Sequence, residues 1–197
     1  MSTKFNASAF AELDKIETPN FDAAGEWEFQ EADEELMAIA DFIASKASNG
    51  HDIQPDRISY WYTNKVKKDG GKFILGSLTA RDELERRKNN DFDYFLSVYY
   101  PVWKDLDSKN KAIQLHKILC GFNLAPGKDP AEVLVKKNPT DTREYKENID
   151  FFGAEDVLNS SNIINMAVTT ILEKAAEDKK NAKEAKKAKK GKKNEDE

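Results

Sequence analysis

Cysteine is nearly missing from this chain: Cys120 is the single one in 197 residues. It permits no internal disulfide, which fits a reducing compartment. Histidine is almost as scarce, with only His51 and His116, so a site built from several imidazoles is excluded. No stretch comes near the ~18 consecutive apolar residues of a membrane span. MSTKFNASAF has no basic region followed by an apolar run of signal-peptide length, so the expectation is a cytoplasmic protein. Glycine-rich phosphate loops, nucleophile elbows and Ser-His-Asp arrangements are absent too. His51, after Asn49-Gly50, reads as a loop residue, and Gly70-Gly71 as part of a hairpin turn.

Charge is plentiful and unevenly placed. Charged residues make up 34% of the chain and apolar ones 39%, with a net charge of −5. Residues 179–197 hold nine lysines against four acids, a local +5, so residues 1–178 carry −10. An acidic body is a poor partner for a duplex or an anionic membrane. Between Glu12 and Glu35 there are ten acids and one base, Lys15, interspersed with Phe21, Trp27 and Phe29. Residues 1–32 therefore read as an acidic, loosely ordered arm, with docking on a basic partner or folding over the domain as the alternatives.

The ordered pattern begins at Asp33. Leu36, Ile39, Ala40, Ile43 and Ala47 recur at helical steps, and Asn49-Gly50 stops them. The period then changes to two in ISYWYT (58–63), which KKDGGK connects to KFILGSLT (72–79) as a hairpin. Gly76 marks a bulge or a close backbone approach in the returning strand. ARDELERRKNN reads as a short charged helix or an excursion. DFDYFLSVYYPVW (91–103) is a strand apolar on both faces, which places it inside the sheet, and Pro101 ends it. Asp107 can cap the helix SKNKAIQLHKILCGF (108–122), whose apolar stripe faces a core. FNLAPGKDP breaks the pattern, AEVLV is a short apolar run, and a last helix starts at Ala154, with an interruption near Asn159–Asn162. Beyond Glu173 no apolar residue is larger than alanine, so residues 175–197 read as a Lys-rich disordered tail, a frayed helix grading into disorder. Weak non-specific contact with nucleic acid through the lysines of 179–193 is the functional alternative; without interleaved aromatics or arginine, base readout has no support.

These elements amount to an α+β domain over residues 33–174: a small, mainly antiparallel sheet of three or slightly more strands, packed with amphipathic helices.

His116 and Cys120, one helical turn apart, share a face. A zinc peptidase places two histidines at that spacing and a glutamate beside the first to act on the bound water. The matching run here is His116-Lys117-Ile118-Leu119-Cys120. From Leu36 to about Leu172 the chain resembles the zincin-like metallopeptidase family of bacteriophages. ISYWYT, KFILGSLTARDEL, DFDYFLSVYYPVWKDL, SKNKAIQLHKILCGF and ENIDFFGAEDVL carry the likeness by their order and spacing.

The resemblance implies a zincin-like fold and makes His116 the counterpart of the first histidine ligand. Lys117 stands where the family has its catalytic glutamate, replacing a base with a cation that repels zinc. Cys120 stands where the second histidine would be; a thiolate can ligate zinc. A third ligand would have to come from Asp150, Glu155 or Asp156. Read without the resemblance, His116 is a packed or hydrogen-bonded residue and Cys120 a small buried hydrophobe.

The expectation is therefore a phage-encoded relative that has lost catalysis and binds a protein or peptide partner in the bacterial cytoplasm, in a groove lined by His116 and Cys120. One alternative is a zinc-dependent peptidase with an atypical site. Another is an early effector whose acidic arm engages a basic host surface.

Overall fold

The structure is a computed structural model that describes residues 10–22, 25–46, 54–69, 72–81, 92–126, 133–137 and 146–193. The strands are β1 (Phe29–Glu31), β2 (Ile58–Thr63), β3 (Lys67–Asp69), β4 (Lys72–Ile74), β5 (Gly76–Ala80), β6 (Tyr94–Tyr99), β7 (Phe122–Pro126) and β8 (Val133–Lys137). The helices are α1 (Asp33–Lys46), α2 (Tyr100–Trp103), α3 (Ser108–Cys120), α4 (Lys146–Phe152) and α5 (Ala154–Lys193). The chain divides into two units, Met1–Ser161 and Asn162–Glu197.

The first unit is α+β. Its main sheet has four strands in the order β1-β2-β6-β5. The outer pairings are antiparallel and the central pair, β2 with β6, runs parallel, with Ile58 opposite Tyr94 and Thr63 opposite Tyr99. This corrects the expected hairpin of ISYWYT with KFILGSLT. On either side of Gly70-Gly71 the short β3 and β4 pair with each other, while β5 pairs with β6. The reason lies in β6 itself. Leu96 and Val98 on one face, and Ser97 and Tyr99 on the other, are all buried, and a strand covered on both faces belongs between two others.

On the inner face Ile58, Tyr60, Tyr62, Leu78, Leu96 and Val98 are buried. α1 lies against β2, α3 against β5, and the two helices meet. α1 buries Leu36, Ile39, Ala40 and Ile43, and α3 buries Ala112, Ile113, Leu115 and Leu119. Each large aliphatic side chain withdrawn from water in this way contributes about 1.5–3 kcal/mol. At Gly76 α3 packs close on the sheet: a Cβ there would lie 2.5 Å from Ile118 Cδ1 and 2.7 Å from the Ser97 carbonyl oxygen. Of the two readings of Gly76, close approach is the one the packing requires. Asp107 caps α3, accepting from the Asn110 backbone N–H at 2.7 Å.

The acidic N-terminal segment folds over this domain. β1 extends the sheet, and Phe10 and Leu13 are buried. The Tyr100 hydroxyl donates to the Pro19 carbonyl at 2.7 Å and accepts from the Phe21 backbone N–H at 2.8 Å. The Phe21 ring then meets Trp27, Tyr62 and Tyr100. Aromatic side chains supply what the segment's acids cannot, apolar surface to bury.

Three further readings change. FNLAP, expected to interrupt the pattern, forms β7 and pairs antiparallel with β8. The last helix has no break at Asn159–Asn162. Residues 175–193, expected as a frayed helix grading into disorder, continue that helix as far as Lys193. Alanine, lysine and glutamate are strong helix formers, so a segment unable to bury a face can still keep helical backbone geometry. The charged run 82–91, His51 and Gly70-Gly71 lie outside the described residues.

Candidate functional site

Helix α3 carries the residues singled out by the His-x-x-x-Cys spacing, and α1, β2 and α4 supply what surrounds them. His116 and Cys120 do come together: Cys120 Sγ is 3.5 Å from His116 Nδ1. Both are buried, 2% and 3% exposed, so they do not line an open groove. The imidazole is held on several sides. Nδ1–H donates to Asn148 Oδ1 at 2.9 Å, the ring stacks on Phe151 with centroids 4.6 Å apart, and Phe152 meets it edge-on. Asn148 is fully buried, and its Nδ2 has no hydrogen-bond partner among the described residues. Gly153, at φ 91°, turns the chain between α4 and α5, which places Asn148, Phe151 and Phe152 on a short helix of their own.

The three acids considered as further ligands are elsewhere. Asp150 and Glu155 are exposed, and Asp156 pairs with Lys109 at 2.7 Å. Among the described residues no three His, Cys, Asp or Glu side chains gather in a way that could hold a metal ion. Among the described residues the donor set around Cys120 therefore does not fit zinc. A metal bridging the thiol and its nearer imidazole nitrogen would displace the proton that Nδ1 shares with Asn148, and the described residues supply only two of the usual three or four protein ligands.

One turn earlier on α3 is a polar cluster that sequence reasoning missed. Lys111 Nζ donates to Glu35 Oε1 at 2.7 Å, with side chains 9% and 2% exposed. Thr18 donates to the same oxygen at 2.6 Å. Trp103 Nε1–H donates to the other carboxylate oxygen at 3.0 Å, and so does the Tyr62 hydroxyl. Lys111 also donates to Thr18 Oγ1. Burial on its own would raise the Glu35 pKa. Bonds from Lys111, Thr18 and Tyr62 outweigh it, so the carboxyl sits below its ordinary range. The Tyr62 hydroxyl is pushed far up by burial and by the adjacent carboxylate. The cluster is thus an ionised carboxylate with every donor around it committed.

A signal for the cluster was present in the pattern. Glu35 lies four residues before Ile39 and Lys111 four before Leu115, so each is a charge on an otherwise apolar face. Asn148 had no such signal. A third polar bond on α3, from Gln114 Nε2 to Ser160 Oγ at 2.9 Å, is equally buried.

Comparison with known proteins yields no matching family model, no matching curated protein and no matching solved structure.

Proposed function

We propose that this chain is a binding protein rather than a peptidase, with α3 serving as a core helix in the position that a zincin-like relative would use for metal. One observation carries the reading: the polar groups of α3 are consumed by the fold. Lys111 serves Glu35, Gln114 serves Ser160, and His116 serves Asn148. Lys117 stands where the likeness puts the catalytic glutamate, so no carboxylate base occupies that position. The test is metal analysis of the purified full chain together with its thermal stability on zinc addition. Metal-free protein with an unmoved Tm is the expected result. About one equivalent of zinc, lost in both His116→Ala and Cys120→Ala, would restore the atypical zinc peptidase.

The partner that fits is a basic protein surface, as in the reading of the chain as an early phage effector in the host cytoplasm. Glu12, Asp14, Glu17, Asp22, Glu26, Glu28 and Glu31 are exposed on the segment that aromatics pin to the domain. Carboxylates held on an ordered segment steer and orient a cationic partner without the ordering cost of a free arm. Titration with a Lys/Arg-rich peptide tests this. Binding should weaken with salt and fall about tenfold when Glu12, Asp14 and Glu17 become Gln; unchanged binding would count against the acidic segment.

A further inference from the structure

The lysine run near the C-terminus acquires a direction once it is helical. As a disordered tail, residues 179–193 would offer their nine lysines on all sides. In the continuous helix α5, 100° per residue places seven of the nine, all except Lys189 and Lys192, within an arc of about 140°. The stripe runs for about 21 Å along the axis. Asn181, Glu184, Ala185 and Ala188 fall on the other side by the same register. Lys179, Lys180 and Lys183 are exposed, as are all residues from Glu173 to Glu184.

We propose that this stripe binds the phosphate backbone of duplex nucleic acid, without reading its sequence. Composition separates this partner from the others. A protein interface of ordinary stability has apolar or aromatic anchors at its centre and is depleted in lysine. Residues 174–193 have no apolar side chain larger than alanine. A helix lying in an anionic membrane also needs an apolar face to bury among the acyl chains, and there is none here. A purely cationic stripe is sufficient only where the partner is itself a dense line of negative charge, because binding is then driven by release of condensed counterions. The chain as a whole is acidic, but charges are screened beyond a Debye length of about 10 Å at 0.1 M salt, so the local stripe decides. Lacking arginine and aromatics, the stripe has no means of bidentate base contact or stacking.

The experiment uses the full chain and a fluorescently labelled random-sequence 20-base-pair DNA duplex, followed by anisotropy over a salt series. Log K should fall linearly with log salt, at about −0.9 per phosphate neutralised. Lys183, Lys187 and Lys190 changed together to Gln should weaken binding at least about tenfold at 50 mM salt and flatten the slope by about 2–3. The same loss of charge at Lys174, Lys189 and Lys192, off the stripe, should cost no more than about twofold. Gln keeps helix propensity, so the far-ultraviolet circular dichroism should be unchanged in both triples. Equal losses in the two triples would mean that net charge and not the stripe is responsible, and would overturn the proposal. So would absence of binding at 50 mM salt. Low-salt self-association, or binding to anionic vesicles, that is abolished by the stripe triple in a protein that ignores DNA would overturn it too, and would name the acidic body of a second copy or a membrane as the partner instead.

Discussion

Lys111 Nζ lies 2.7 Å from Glu35 Oε1 in a setting where neither side chain reaches water to any extent. The two residues are 76 apart in sequence and join α3 to α1, the helices between which the core is built. Removing one member strands the other charge. Lys111→Met or Glu35→Gln alone should destabilise the fold by about 3–5 kcal/mol in urea denaturation, whereas the double replacement should recover much of that loss. Additive losses in the double variant would show that the pair does not act as a unit.

The same carboxyl sets an acid limb. Its folded pKa is lower than its ordinary value of 4.5, so the folded state binds its proton less readily than the unfolded state does. The stabilisation is complete above that ordinary value and is lost as pH falls below it towards the lower folded pKa. Unfolding free energy should therefore decline as pH drops below about 4.5, with a shallower slope in Glu35→Gln. Parallel slopes would assign the acid sensitivity to other carboxylates.

Tyr62 works in the opposite direction. Its hydroxyl titrates far above the ordinary value of 10.0, so its contribution is intact below pH 10 and is lost as pH rises beyond it. Burial raises Tyr99 as well, so absorbance titration at 295 nm should show a late step that includes Tyr62 among the six tyrosines, and Tyr62→Phe should shrink that step by one tyrosine. A Tyr62→Phe chain whose late step keeps its full amplitude would move the assignment away from Tyr62.

Two glycines should fail for different reasons. At Gly76 a methyl group meets Ile118 Cδ1 and the Ser97 carbonyl; the first can turn aside and the second cannot, so Gly76→Ala should cost about 1–3 kcal/mol. At Gly153 nothing lies within 4 Å, but φ is +91°, so Gly153→Ala should cost about 1–2 kcal/mol through the backbone alone. Ile118→Ala should partly rescue the first substitution and leave the second untouched. Rescue of both would refute the distinction.

Cys120, as the single thiol, reports directly on the packing around α3. With 3% exposure it should react with a thiol reagent about a hundredfold more slowly in native protein than in urea, because reaction waits on local opening. Phe152→Ala, which removes an aromatic wall beside His116, should speed the native reaction. Native labelling at the denatured rate would mean that the thiol is open to solvent.

Much of the architecture was legible from residue periodicity. The helical stripes of Leu36–Ile43 and Ala112–Leu119 and the two-residue period of ISYWYT mark elements by repetition, and repetition survives without knowledge of neighbours. The interior place of YFLSVY was readable because it is apolar on both faces. Its partners were not, since pairing is a relation between segments: the local turn signal of Asp69-Gly70-Gly71 suggested a β2 hairpin, while burial on both faces of β6 placed that strand beside β2 instead. How far the helix runs into the C-terminal lysines was likewise not legible when apolar residues alone were counted.

By itself the sequence determined the α+β class, the core faces of α1 and α3, the Asp107 cap and the proximity of His116 to Cys120, because each follows from spacing along a single element. Only the tertiary structure decided that Lys111 meets Glu35, that Asn148 meets His116, and that Asp150, Glu155 and Asp156 do not gather with His116 and Cys120 in a metal-holding cluster. Those are contacts between elements distant in the chain, and a donor and its acceptor carry no mark of each other until burial forces each to find a partner.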